Sequence, residues 1–156
     1  MVRWSDDDEK VTDVKFVGAK GKLNYIKDTT IPRSDTCGEF TLSRLAYSAD
    51  EALQKTELDL MCQTKLLFTG STTVLAWIKS AAIKYKPYIK NKLIEIQELH
   101  PINVWRYIPS TQNRIADTIS KGCKSEYLDE IIRGPEILYS SKKYINQLYT
   151  FMKCIS

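Results

Sequence analysis

Apolar residues recur every three or four positions in three segments of the chain, which is the pattern of helices that bury one face. The first segment follows an extended entry at residues 31–35, with Ser34 as the expected N-cap, and its apolar stripe comprises Leu42, Leu45, Ala46, Ala49, Ala52 and Leu53. The second is a short helix over residues 72–79 that places on one side Val74, Leu75 and Ile78. The third begins with Pro87, ends at His100-Pro101, and has a buried stripe of Ile89, Leu93, Ile96 and Leu99.

Three shorter segments have the pattern of β-strands. Residues 11–17 alternate, and one face carries Val14 and Phe16. Residues 65–69 form an apolar run that ends at a glycine, and residues 104–108 form another strand. Two further short helices are expected over residues 113–120 and 142–151. Because strands and helices alternate after residue 30, the pattern predicts the α/β fold class.

Length and composition are those of one globular domain with short ends. The chain has 156 residues, of which 43% are hydrophobic and 27% are charged. We expect a flexible acidic N-terminus over residues 1–10, a domain over residues 11–138 and a helical tail over residues 139–156. No apolar run reaches the roughly 18 residues of a membrane helix, and the first ten residues lack the apolar stretch of a signal peptide. The sequence therefore predicts an intracellular protein, cytoplasmic or nuclear, without a membrane partner.

The cysteines are spaced too widely for a zinc finger and are too few for a disulfide scaffold. No C-x-x-C pair occurs among the four cysteines, which are Cys37, Cys62, Cys123 and Cys154. We expect these cysteines to be reduced thiols. The single histidine, His100, lies beside a proline at a helix end and is expected to be a surface cap. Nucleotide-binding loops and the serine-hydrolase motif are missing from the sequence.

Positive charge is concentrated after the first nine residues. These nine contain four acidic residues and one basic residue, which leaves 22 basic and 15 acidic residues in the remainder. A basic stretch with aromatic residues can neutralise phosphates and stack on bases. The candidate nucleic-acid-binding residues are Lys79, Lys84, Lys86, Lys90, Lys92 and Arg106. The alternative is a solvated helix face whose aromatic residues turn into the core, namely Trp77, Tyr85 and Tyr88.

Acidic residues near the ends of strands and the starts of helices offer a second kind of chemistry. The candidates are Asp35, Glu39 and Asp117. A metal-dependent nuclease needs three or four converging carboxylates, because two Mg²⁺ ions have to be held over the scissile phosphate. The spacing of these three residues does not by itself establish such a cluster.

The order of several motifs identifies a family resemblance. The motifs are TIPRSDTC at residues 30–37, FTGSTTVLAWIKS at 68–80, YIKNKLIEIQ at 88–97, WRYIP at 105–109, Asn113, Ala116-Asp117, SKG at 120–122 and GPE at 134–136. In this order and spacing they resemble the ribonuclease H-like domain of Pao/BEL-type LTR retrotransposon polyproteins, over residues 11–138. The resemblance implies a ribonuclease H-like mixed sheet with flanking helices. It also implies two-metal hydrolysis of the RNA strand of an RNA–DNA hybrid by four carboxylates.

Carried over to this chain, the family's carboxylates are mostly lost. The family's glutamate falls on Asp35, its second aspartate falls on Gly70, and only Asp117 matches outright. The first aspartate belongs to a strand that should precede Val11 by a full hairpin, so the N-terminal strands are expected to be missing. Glu39 could replace the glutamate if the helix entry shifts by one turn. Any Mg²⁺ would bind Asp35 and Asp117, and we otherwise expect no cofactor.

The resemblance therefore implies a catalytically inactive, retrotransposon-derived domain that retains binding to an RNA–DNA hybrid or another nucleic acid. One alternative is an active, Mg²⁺-dependent ribonuclease H with a first aspartate from another chain. Another is a non-functional remnant or a protein-interaction module. The loss of the first strands leaves three outcomes open: closure of the sheet, completion by a partner, or marginal stability.

Overall fold

A computed structural model of the chain describes residues 2–5, 11–16, 18, 20, 30–55, 65–113, 128–134 and 136–140. The chain divides into two compact units. One consists of Met1–Gly21 and Tyr107–Ser156, and the other consists of Lys22–Arg106.

The first unit contains an antiparallel pair of strands, β1 (Val2–Ser5) and β2 (Val11–Lys15). Val2 pairs with Lys15, and the register shifts after Trp4. Residues 2–5 are thus a strand rather than part of a flexible terminus, and a strand does precede Val11 in the chain. The strand expected over residues 11–17 ends at Lys15, and Val14 is buried whereas Phe16 is exposed.

Further along the chain, the same unit contains a short helix, α4 (Leu128–Arg133), and a 3₁₀ turn at Glu136–Tyr139, and both contact β2. Gly134 follows α4 with a φ of 81°, a conformation that glycine adopts without a steric cost. The hydroxyl of Tyr139 donates a hydrogen bond to the carbonyl of Arg133 over 2.7 Å. The helices expected over residues 113–120 and 142–151 lie outside the described residues, apart from Asn113, which is not helical.

The second unit is organised around a long helix, α1 (Ile31–Gln54). The carbonyl of Thr30 accepts hydrogen bonds from the backbone N–H groups of Arg33 and Ser34, both over 3.0 Å. The helix therefore begins nearly one turn before Ser34, and the expected N-cap at Ser34 is wrong. Pro32 is compatible with this early start because the first turn of a helix does not need its missing N–H.

The remaining elements of this unit follow the predicted order. They are β3 (Leu67–Thr69), α2 (Thr72–Lys79), a 3₁₀ turn at Ala82–Lys84, α3 (Pro87–Leu99), a 3₁₀ turn at Ile102–Val104 and β4 (Trp105–Tyr107). Strands β3 and β4 form a small parallel sheet, with α2 and α3 in the connection between them. The chain is therefore a mixed structure of helices and strands, mostly helical. Its described strands form two separate two-stranded sheets, whereas the resemblance implied one mixed sheet.

Local sequence explains where α2 and α3 begin and end. The hydroxyl of Ser71 accepts a hydrogen bond from the backbone N–H of Val74 over 3.4 Å, which caps the N-terminus of α2. Pro87 occupies the first position of α3, as predicted. The side-chain amide of Gln97 donates to the carbonyls of Ile78 and Ser80 over 2.8 and 2.9 Å. It thereby satisfies carbonyl groups that a helix C-terminus leaves without partners.

The core of the second unit comes from α2, α3 and β4. Its apolar residues include Val74, Leu75, Ile78, Ile89, Leu93, Ile96 and Trp105. The predicted stripes of α2 and α3 are confirmed, except that Leu99 is half-buried. The stripe predicted for α1 is wrong: Ala52 is exposed and its other described members are half-buried, and the buried residues of this helix are Thr36, Cys37 and Ser43. Thr36 can be buried because its hydroxyl donates to the carbonyl of Pro32 over 2.7 Å.

Among the residues that the structure describes, no helix combines the length and the apolar character needed to cross a membrane.

Leu93 is completely buried in α3, so Leu93→Ala should lower the free energy of unfolding by about 2–5 kcal/mol through lost apolar contacts and the cavity left behind. Ile83→Ala is the matched control, because Ile83 is 76% exposed and its truncation should change stability little. Chemical denaturation of both variants measures the difference. Equal effects would contradict the placement of α3 in the core.

Candidate functional site

One candidate site lies where α1 meets the end of β3 and the start of α2. The hydroxyl of Thr69 donates a hydrogen bond to the carboxylate of Glu39. The same hydroxyl accepts one from the backbone N–H of Ser71 over 3.1 Å. Thr69 is buried, whereas Gly70, which lies between Thr69 and Ser71 in the chain, is exposed. Glu39, rather than Asp35, is therefore the α1 carboxylate that contacts the segment where the resemblance places the family's second aspartate.

The carboxyl group of Glu39 has an unusual protonation equilibrium. Burial, which disfavours the charged form, raises the pKa of Glu39 to about 7, and the nearby charge of Asp35 acts in the same direction. The hydrogen bond from Thr69 opposes this shift because it stabilises the carboxylate. Near neutral pH, Glu39 therefore exchanges between its charged and neutral forms. Perturbed carboxyl groups of this kind occur at functional sites and also in structural networks.

The described residues do not fit a two-metal centre. Asp35 and Glu39 supply two carboxylates, Gly70 supplies none, and two Mg²⁺ ions need three or four. Within the described ranges, no group of three or more His, Cys, Asp or Glu residues could hold a metal ion. Asp117 lies outside the described residues, so its predicted pairing with Asp35 stays a prediction.

The predicted nucleic-acid-binding residues differ in their exposure. Lys79, Lys84 and Lys86 are exposed at the end of α2 and before α3, whereas Lys90 and Lys92 are half-buried on α3. The guanidinium of Arg106 donates to the backbone carbonyls of Asn103 and Trp105. Arg106 is therefore part of the connection between the last 3₁₀ turn of this unit and β4.

The aromatic residues between these lysines divide in the same way. The rings of Trp77 and Tyr85 are half-buried and lie 5.4 Å apart, and the Tyr85 hydroxyl is hydrogen-bonded to that of Ser80 over 2.8 Å. Tyr88, in contrast, is 47% exposed. Trp77 and Tyr85 therefore fit the interpretation in which the aromatic residues turn into the core, whereas Tyr88 fits the interpretation in which a ring faces a ligand.

A row of alternating cations and aromatic rings joins α1 to α3. The guanidinium of Arg33 lies 4.7 Å from the centre of the Tyr88 ring, and the Lys92 ammonium lies 5.1 Å from the same ring. Lys92 is also 4.2 Å from the ring of Phe40, over which Arg44 lies at 4.3 Å. We call these five residues the cation–aromatic row.

Sequence reasoning identified Lys92 and Tyr88 as candidates but missed the three members of this row on α1. Arg33, Phe40 and Arg44 are separated by seven and four residues, which places them on one face of a helix. Their spacing indicates a shared face of the helix but does not show that this face meets Tyr88 and Lys92 on α3. The row is unlike an ordinary charged helix face, because each cation is held against a ring.

Two polar contacts flank the row. Arg44 forms an ion pair with Glu95 over 2.5 Å, and this interaction lowers the pKa of Glu95. The thiol of Cys37, which is free and buried, is hydrogen-bonded to the hydroxyl of Tyr88 over 3.1 Å. That hydrogen bond raises the pKa of Tyr88. The other three cysteines lie outside the described residues.

His100 is a buried residue rather than the expected surface cap. Its backbone N–H donates to the carbonyl of Ile96 and ends α3, so the capping role is correct. Its ring is completely buried, however, and Nε2 is hydrogen-bonded to the carbonyl of Ser43 on α1 over 2.9 Å. Burial lowers the pKa of His100, which favours a neutral ring that connects α1 to α3.

Comparison of the chain with protein-family models, with curated proteins and with solved structures found no match.

The raised pKa of Glu39 predicts a specific pH dependence of stability. The folded protein holds the Glu39 proton up to about pH 7, whereas the unfolded chain releases it near the ordinary glutamate pKa of 4.5. Stability should therefore fall as the pH rises through this window, by roughly 3 kcal/mol from this group. Glu39→Gln, which stays neutral and can still accept from Thr69, should lose this part of the pH dependence.

The control is Glu51→Gln, an exposed position on the same helix with the same change in charge. Urea denaturation across the window measures both variants. If Glu39→Gln keeps the pH dependence of the unsubstituted chain, the assignment of the raised pKa to Glu39 is wrong.

Proposed function

We propose that this chain is a retrotransposon-derived ribonuclease H-like domain that binds nucleic acid without hydrolysing it, and that it acts inside the cell. One observation carries the binding part of the proposal. Residues 65–106 contain seven basic and two acidic residues, and the exposed side chains include those of Lys79, Lys84 and Lys86. A surface with this surplus attracts a polyanion through release of condensed counterions.

The absence of hydrolysis in this proposal rests on the chemistry of the acidic site. Gly70 lies where the resemblance requires a carboxylate, and Glu39 is partly protonated near neutral pH. A carboxyl group that is neutral for part of the time is a weaker ligand for Mg²⁺ than a permanent carboxylate. Two-metal phosphoryl chemistry depends on the charge and position of its ions, so both changes oppose it.

A second candidate function is favoured by the position of Glu39. This carboxyl group contacts the end of β3, where a ribonuclease H-like enzyme would need one of its ligands. The rival proposal is an active Mg²⁺-dependent enzyme that cleaves the RNA strand of a hybrid with Asp35, Glu39 and Asp117. Binding and cleavage measured on one sample distinguish the two candidates.

We expect the purified chain to bind an RNA–DNA hybrid, and to leave it uncleaved in Mg²⁺ and in Mn²⁺. The affinity should fall steeply with added salt, because each phosphate contact releases about 0.9 of a counterion from a duplex. Lys84→Gln with Lys86→Gln should weaken binding and reduce the salt dependence. Fluorescence anisotropy and gel analysis of the labelled RNA measure the two activities.

Cleavage that disappears in Asp117→Asn would establish the rival enzyme. Salt-insensitive binding, or no binding by a folded sample, would contradict the proposed function and favour a remnant or a protein-interaction module.

The ancestry can be tested by restoring the lost carboxylate. Gly70→Asp should join Asp35 and Glu39 in a divalent-cation site, so Mn²⁺ should raise the melting temperature of this variant. At a concentration 100 times the dissociation constant, the expected stabilisation is about 2.7 kcal/mol. The unsubstituted chain and Ala76→Asp, which adds the same charge at an exposed position of α2, should show little response. A Gly70→Asp variant that Mn²⁺ does not stabilise would contradict a ribonuclease H-like arrangement at the end of β3.

A further inference from the structure

We propose that the cation–aromatic row binds the phosphodiester backbone of a nucleic acid and reads its phosphates rather than its bases. This inference rests on the proposed nucleic-acid-binding function and adds a site and a mode of recognition to it. The row lies outside the stretch of lysines that the sequence singled out, apart from Lys92 and the neighbouring Tyr88.

The row carries more positive than negative charge. It contains three cations, Arg33, Lys92 and Arg44, and the nearest acidic partner is Glu95 on α3. Glu95 forms an ion pair with Arg44 and also interacts electrostatically with Lys92, and neither Arg33 nor Lys92 forms a direct ion pair within the described part of the chain. Two further carboxyl groups lie on this part of α1, those of Asp35 and Glu39, and Glu39 is hydrogen-bonded to Thr69 of β3. The row therefore presents a net positive charge.

The aromatic rings hold these cations in place. Tyr88 is in contact with Arg33 and Lys92, and Phe40 is in contact with Lys92 and Arg44. Long basic side chains lose conformational freedom when they bind, so cations that are already held by rings lose less of it. A ring that already contacts two cations is a poorer platform for stacking a base than a free ring. The arrangement thus favours contact with phosphates.

The dimensions of the row match a run of phosphates. Arg33 and Arg44 are eleven residues apart on α1, which corresponds to about 16 Å along the helix. One strand of a duplex advances about 3.4 Å along the helix axis per phosphate, so a row of this length can contact more than one phosphate. Lys92, which contacts both rings, lies between the two arginines.

The test compares a fluorescent single-stranded oligonucleotide with an abasic oligomer of the same length and backbone. We expect similar affinities for both, because the row does not read bases. Arg33→Gln and Lys92→Gln should each weaken binding about fivefold at moderate salt, and each should lower the salt slope by about 0.7. Lys55→Gln, at an exposed position after α1, is the matched control for charge and should bind like the unsubstituted chain.

Glu95→Gln is the most informative variant, because we expect it to raise the affinity for nucleic acid. Removal of this carboxylate releases Arg44 from its ion pair, so binding should tighten by about fivefold, a change that damage to the fold cannot produce. Phe40→Leu tests the role of the rings: the charge is unchanged, and the affinity should fall without a change in the salt slope. Phe40→Leu that binds normally would show that the rings do not position the cations.

The outcomes separate this inference from the function on which it rests. If the unsubstituted chain binds and the variants of Arg33, Lys92 and Glu95 bind equally well, nucleic acid is bound elsewhere and only the row is wrong. If these variants lose stability but keep affinity, the row only stabilises the packing of α1 against α3. A strong preference for the normal oligonucleotide over the abasic one would contradict the proposal that the row binds phosphates rather than bases. No binding by the unsubstituted chain would overturn both proposals.

Discussion

Helix α1 packs against α3 with one face and is hydrogen-bonded through Glu39 to Thr69 of β3 from another, and these two contacts fix the position of the candidate functional side chains. With 3.6 residues per turn, Arg33, Phe40 and Arg44 lie along the face that contacts α3, whereas Glu39 lies on the face that reaches Thr69. The buried Thr36 and Ser43 lie between these faces. A change of one residue in the helical phase would turn both sets of side chains away from their partners, so the acidic site and the row depend on the same packing.

The buried face of α1 is unusually polar, and its hydrogen bonds determine how much this polarity costs. Thr36 is paired with the carbonyl of Pro32, and the backbone carbonyl of Ser43 accepts a hydrogen bond from Nε2 of His100, whereas the buried hydroxyl of Ser43 has no hydrogen-bond partner in the described part of the chain. Glu39 carries a larger cost, because the hydrogen bond from Thr69 does not compensate for the loss of water around a carboxylate. The site is therefore destabilising in its charged form. A proton relieves this cost in the present chain, and a nearby cation would relieve it in the same way.

The sequence predicts the bounds of a helix correctly where apolar periodicity and capping residues agree. Helices α2 and α3 have the predicted bounds because Ser71, Pro87 and the buried stripes all indicate the same elements. It was insufficient for α1, since the start depends on Thr30 rather than Ser34 and the buried face carries Thr36 and Ser43 instead of the apolar stripe. Strand β1 was missed because an acidic segment follows it. In the candidate sites, periodicity cannot reveal which cations contact rings on another helix, so Arg33 and Arg44 were not found.

The separation of the two sites means that binding at the row and chemistry at Glu39 are independent of each other. The row and Glu39 are on different faces of α1, and a helix with its side chains is about 10 Å across. A phosphate held by Arg33 or Arg44 would therefore not be the phosphate presented to Glu39. A substitution of Gly70, at the end of β3, removes none of the cation–ring contacts between α1 and α3. The surface that we propose for the backbone therefore does not depend on carboxylates at the end of β3, so binding through the row is compatible with the presence or the absence of hydrolysis at that site.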